Sequence, residues 1–225
     1  MDNVPPDADP SSDNHLVVRL PRQRRSREAW SRILDAGVSI VEEGGYEAFT
    51  IAAVCDRADV APRAVYERVN TKDGLFLAVY EHKMVDAVND QNRVFADARW
   101  DGLAARELID GAVAGLVEVF AAHAAFLRSA VLISGVHAEV NRRGSVYVRS
   151  LGDAFTTVVM RAANAIVQPN PDAAVRMSFE TSFSSLVLRT SYGPGFSGPP
   201  VGDDVFVRQL SEMVGRYLLG DGTDE

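Results

Sequence analysis

Apolar residues along this chain return at intervals of three and four instead of alternating, a spacing that predicts helix almost throughout. Trp30, Ile33, Leu34, Gly37, Val38 and Val41 mark one face of a first helix, and Gly44-Gly45 supplies its stop. Ile51, Val54, Cys55 and Ala58 form a short second helix after Thr50, a residue suited to capping. Pro62 can occupy the first position of a third short helix that turns Val65 and Val69 inward. A fourth begins near Thr71 and buries Phe76, Val79, Tyr80 and Val88. Ile109, Ala112, Val113, Leu116 and Phe120 give a fifth; Leu127, Ala130, Val131 and Ser134 a sixth. Leu151, Phe155, Val158, Val159, Ala162 and Ile166 give a seventh, Val175, Phe179, Phe183 and Leu186 an eighth, and Phe206, Leu210, Met213, Val214 and Tyr217 a ninth. The ten prolines lie at 5, 6, 10, 21, 62, 169, 171, 194, 199 and 200, so none interrupts residues 63–168. No hairpin turn separates alternating segments, and the expected fold is all-α with about nine helices.

Composition narrows this further. At 225 residues with 47% hydrophobic and 24% charged positions, the chain has the material for a sizeable core. Its 1 Cys allows no internal disulfide and no thiolate zinc cluster. The opening MDNVPPDADPSSDN is rich in Pro, Asp and Ser, which predicts a disordered tail over 1–21 and no secretory signal. No uncharged apolar run is long enough to span a membrane, so a soluble cytoplasmic protein is expected. The net charge of −8 is unevenly spread: −4 over residues 1–18, +1 over 19–83 and −5 over 84–225. Arg22, Arg24, Arg25 and Arg27 crowd just before the first helix, either as a solvated charge run or as an arm for a minor groove or phosphate backbone.

Residues 50–69 read TIAAVCDRADVAPRAVYERV, two short helices meeting at a turn around Ala58-Asp59-Val60-Ala61. That is helix-turn-helix spacing, and it leaves Arg63, Ala64, Glu67 and Arg68 facing outward. Around this motif, residues 24–83 carry Glu43-Gly44-Gly45-Tyr46, Phe49-Thr50-Ile51, Val60, Tyr66 and Thr71-Lys72-Asp73 followed by Leu75-Phe76. With these residues the segment resembles the DNA-binding domain of the tetracycline-repressor (TetR-like) family of bacterial transcription regulators. The resemblance implies that Thr50 and Lys72 grip phosphates at the starts of their helices. Pro62, Arg63, Ala64, Tyr66 and Arg68 would then face the groove or its rim. A bidentate contact from Arg63 or Arg68 to guanine O6/N7 suits that placement. Glu67 is awkward near phosphate unless it accepts from a cytosine amine or turns toward a neighbouring Arg. Asp59 stands where the family usually has the turn glycine, Cys55 replaces an Ala, Ala61 a capping Ser and Val69 an aromatic.

The same resemblance implies a helix-turn-helix domain over 22–70 and a helical ligand-binding and dimerisation domain over 71–225. It further implies a homodimer joined through the last two helices, bound as a repressor to a palindromic double-stranded operator and released by a small-molecule effector. Helices four to seven would enclose a mostly apolar effector, and the fourth helix would link the two domains. Candidates for the effector site are His123 and His137, polar residues on or near apolar faces, with Phe95, Trp100, Phe126, Tyr147, Phe155 and Phe183; aromatics at helical spacing are core by default. No G-x-S-x-G, nucleotide-binding glycine loop or HExxH occurs, and the four histidines lack metal-ligand spacing, so neither an enzyme nor a cofactor is expected. His82 is four residues from Asp86, a plausible surface pair. The alternative is a small-molecule-binding or scaffold protein with a vestigial helix-turn-helix, which Asp59, Glu67 and the acidic balance favour.

Overall fold

The apolar stripes read above close into helices because each buries one face, and the computed structural model describes residues 24–220 in these terms. The 1–21 tail and Arg22 lie outside the described residues. The helices are α1 (Arg24–Ala48), α2 (Ile51–Ala58), α3 (Pro62–Tyr66), α4 (Lys72–Val94), α5 (Ala105–Ala122), α6 (Ala124–Ser134), α7 (Ala138–Val159), α8 (Pro171–Tyr192) and α9 (Asp203–Leu219). Short 3-10 turns follow α4 at Asp97–Arg99 and α7 at Met160–Ala165. Among the described residues there is no strand, and no single helix is long and apolar enough to cross a membrane. The chain divides into two compact units between Lys83 and Met84, a point inside α4.

In the N-terminal unit α1 is broken at Gly45, whose φ of 70° lies in the region that favours glycine. Trp30, Ile33, Val41, Phe49, Val54, Val65, Val69, Leu75, Phe76 and Val79 form the core. Phe49 and Phe76 meet edge to face with ring centres 5.5 Å apart, and Tyr46 stands against Phe76 at 4.8 Å. Gly37 lets α1 approach α4 closely, for a side-chain carbon there would strike Val79. His82 bonds Asp35 of α1 at 2.8 Å and not its helical neighbour Asp86.

In the C-terminal unit α5 contributes a continuous buried stripe of Leu108, Ile109, Ala112, Val113, Leu116, Val119 and Phe120. Glycines let large side chains seat against helix backbones. A Cβ would meet Trp100 at 2.8 Å from Gly111, Val94 at 2.7 Å from Gly115, and Phe179 at 2.8 Å from Gly152. Asn170 caps α8 by accepting from the Ala173 N–H at 3.2 Å, and Pro171 fills the first helical position.

Three readings of the chain need correction. α7 begins at Ala138, well before the apolar positions that marked it, and Ala162 belongs to a 3-10 turn past its end. Val88, read as inward on α4, is exposed. Met213 and Tyr217 of α9 are likewise open to solvent in the single chain.

Candidate nucleic-acid interface

The presentation of α3 is set by what precedes it. Thr50 holds the extended backbone of a capping residue, and its Oγ1 accepts from the Ala53 N–H at 3.1 Å, fixing where α2 starts. α2 ends at Asp59, which adopts left-handed geometry at φ 51° and ψ 57°. Asp tolerates that conformation better than most residues, so the turn forms without the usual glycine. The Val60 N–H returns to the Cys55 carbonyl at 3.1 Å, and Arg32 Nε reaches the Ala58 carbonyl at 3.4 Å. Cys55 is buried, and desolvation pushes its thiol pKa up. Ala61 offers no side-chain cap to α3, but Pro62 follows at a position where no N–H is needed.

Val65 and Val69 anchor the segment in the core. The opposite side stands in solvent: the Arg63 side chain is 88% exposed, and Pro62, Tyr66 and Glu67 are also exposed. Ala64 is half-buried. Arg63 Nε donates to Glu67 Oε1 at 3.0 Å, so Glu67 does turn toward a neighbouring arginine. Arg68 is half-buried and donates through Nη2 to Ser26 Oγ, tying the end of the motif to the first turn of α1. Beside Ser26, Arg25 is exposed and Arg24 pairs with Glu28 at 2.8 Å.

Lys72 opens α4 with its ammonium held in place. It donates to the Tyr46 carbonyl at 3.0 Å and lies 3.9 Å from the centre of the Tyr46 ring. The Tyr46 hydroxyl in turn donates to Asp73 Oδ1 at 2.5 Å. Burial, reinforced by the bond to Asp73, pushes the phenol pKa well above its ordinary value. Arg57 grips Glu43 with two bonds of 2.6 and 2.8 Å, bracing α2 against α1 and lowering the Glu43 carboxyl pKa. Tyr46, Asp73, Ser26, Glu43 and Arg57 were not among the sequence candidates. Glu43, Tyr46 and Asp73 lie within the motif of residues 43–76 and carried the available signal.

The effector candidates do not converge on one place. Phe95 stacks on Trp100 with ring centres 6.2 Å apart. Phe155 and Phe183 are joined through Phe179, 5.7 Å from each, and Phe183 also meets Phe120. Phe126 is wholly buried on α6, and Tyr147 is half-buried on α7. His123 does not extend the face of α5; it forms the buried corner between α5 and α6, 3.0 Å from Asp90 Oδ2 through Nε2. Arg93, and then His123, hold the Asp90 carboxyl below its ordinary pKa. His137 is not on the α6 face but caps α7, its Nδ1 accepting from the Val140 N–H at 3.4 Å. A groove of about 260 Å³ opens elsewhere, along α8 and α9 between Met177, Ser178, Thr181, Met213, Val214 and Tyr217.

Comparison with known proteins bears on both units. Residues 33–79 match the family described as "Bacterial regulatory proteins, tetR family". The chain is 37% identical over 94 residues to the HTH-type transcriptional repressor KstR of Mycobacterium tuberculosis, a match covering 40% of this chain and 43% of that one. It is 40% identical over 82 residues to KstR of Mycolicibacterium smegmatis, covering 36% of this chain and 38% of the relative. The chain thus spans less than half the length of the curated relatives it matches. A solved transcriptional regulator from Rhodococcus sp. Rha1 shares the fold, with a TM-score of 0.64 at 17% identity over 84% of this chain and 96% of that one. The match over residues 33–79 places the helix-turn-helix segment alongside the tetR family of bacterial regulatory proteins, and the described helices share their fold with the solved regulator.

Proposed function

We propose that the protein is a sequence-specific DNA-binding transcriptional repressor that acts as a homodimer and is released by a small-molecule effector. One observation carries this reading: α3 is anchored by Val65 and Val69 while Arg63, Tyr66 and Glu67 stand clear of the unit on one face. A helix so held can put its leading end into a major groove. Thr50 and Lys72 open α2 and α4, where backbone N–H groups and a cation favour phosphate. Only one of three ammonium donors of Lys72 is used by the Tyr46 carbonyl.

One short helix reads too few bases for useful specificity, so two copies on an inverted repeat are required. The exposed Met177, Met213 and Tyr217 along the α8–α9 groove support dimerisation through these helices. For the effector, the support is a set of buried polar atoms without partners among the described residues: Gln91 Oε1, Trp100 Nε1, His123 Nδ1 and Ser182 Oγ. Each such atom costs about 1–3 kcal/mol, a cost that an apolar ligand with a few polar groups would relieve. α4 belongs to both units and would carry the signal between them as a population shift.

Selection from a pool of random duplexes tests the proposal: the purified protein should enrich an inverted repeat. Lys72→Ala should then weaken binding to every sequence and lower the salt slope by about 1. Enrichment of no duplex overturns the reading.

A further inference from the structure

Glu67 poses a question that the regulator reading, on which this inference rests, leaves open. An acid on the face offered to a polyanion opposes binding, because every phosphate it approaches repels it. Folding does not require it there. Glu67 is 52% exposed and its partner Arg63 is 88% exposed, and ion pairs so open to water stabilise a fold very little.

The geometry supplies a reason. The bond from Arg63 uses Nε, donating to Glu67 Oε1 at 3.0 Å across one helical turn. The guanidinium is a planar fork of five donors. With its Nε occupied, the Nη1/Nη2 end remains, and among the described residues neither of these nitrogens has a partner. Two parallel N–H donors in one plane match the O6/N7 edge of guanine. An unrestrained arginine would satisfy itself equally well on phosphate, a contact without sequence information.

We propose that Glu67 is a specificity-determining positioning residue: it holds Arg63 by the Nε side, presents Nη1 and Nη2 to a guanine, and repels phosphate that would otherwise compete. It lowers binding to arbitrary DNA and raises discrimination in the same act. A residue that merely decorated the surface would do neither.

The test profiles base preference by duplex selection, with affinity for an unrelated duplex measured beside it, for the full chain and three variants. Glu67→Ala should bind the unrelated duplex severalfold more tightly and lose about tenfold of the preference for guanine at one position in each half-site. Arg63→Ala should lose the preference at that same position, and the double variant should lose no more there than Arg63→Ala alone. Glu67→Gln keeps an acceptor without the charge; it should gain the unspecific affinity and retain more of the preference.

If Glu67→Ala keeps its guanine preference, or changes a position that Arg63→Ala leaves alone, the positioning role is overturned; in the second case Glu67 reads a base itself. Failure of the unsubstituted protein to enrich any duplex would overturn the regulator reading and this inference together. Enrichment by the unsubstituted protein with an unaltered Glu67→Ala profile overturns this inference only.

Discussion

The two units hold their helices with a different balance of polar ties and apolar fit. In the N-terminal unit the short helices α2 and α3, 8 and 5 residues long, could not persist alone. They are held by polar ties between elements: Arg57 to Glu43, Lys72 to the Tyr46 carbonyl, Tyr46 to Asp73, and Arg68 to Ser26. In the C-terminal unit the helices run from 11 to 22 residues and fit chiefly through shape, with Trp100, Val94 and Phe179 seated on glycines, while ties such as Arg93 to Glu118 and Arg189 to Asp203 stay at the exposed rim. There Gln91 Oε1, Trp100 Nε1, His123 Nδ1 and Ser182 Oγ are buried without partners among the described residues. On the proposed reading, a surface offered to a rigid duplex is served by a scaffold tied between its elements, and a unit that responds to a ligand keeps unmet demand in its interior.

The sharpest break in this comparison would come from the ring cluster that Tyr46 shares with two of the polar ties. Phe49 is fully buried and packs against Phe76 and Tyr46. Phe49→Ala should cost about 3–5 kcal/mol in urea unfolding and should abolish retention of a selected duplex. A cost below about 1 kcal/mol, too small for a large buried side chain, would mean that the polar ties alone hold the unit and that its core is incidental.

The same contrast explains how far the sequence could be read. The start of α2 at Thr50, the break at Gly45 and the inward Val65 and Val69 were legible because each is a local matter of spacing, cap or glycine geometry. The tie from Lys72 to Tyr46 spans 26 residues and that from Arg68 to Ser26 spans 42, and no periodicity reports a contact of that kind. The start of α7 was hidden for another reason. Val140 is buried, but Val146 is exposed and Tyr147 half-buried, so no single stripe runs through residues 138–150. Val88, Met213 and Tyr217 misled because an apolar position reads the same whether it faces its own core or is left exposed on the isolated chain.

A smaller effect tests the turn. Asp59 sits at φ 51° without a glycine's freedom. Asp59→Gly should leave stability unchanged or raise it by up to about 1 kcal/mol, and Asp59→Val should lower it by about 1–2 kcal/mol, the left-handed penalty that a branched side chain cannot escape. Thermal unfolding of both variants decides. A stabilising Asp59→Val would mean that the turn is not strained by its side chain, and the account of how α3 is aimed would lose its pivot.

The smallest effect belongs to the C-terminal unit, at a surface ion cluster within α7. Glu139 lies in the first turn of α7 and accepts from Arg142 at 2.5 and 2.8 Å and from Arg143 at 2.6 Å. These two guanidinium groups, Arg142 foremost, hold its carboxyl down at about 2 against an ordinary 4.5. Because the folded state lowers this pKa, the unfolded chain binds the proton first as acid is added. The stabilisation is therefore complete above about pH 5 and is lost as the pH falls from 4.5 toward 2. Partial exposure and salt screening keep it to no more than about 1 kcal/mol. Glu139→Gln should thus be less stable than the parent at pH 7 by that small margin, with the gap closing on acidification until the two unfold alike near pH 2. A gap that widens as the pH falls would reverse the sign of the linkage and overturn the pairing of Glu139 with Arg142 and Arg143 as a source of stability.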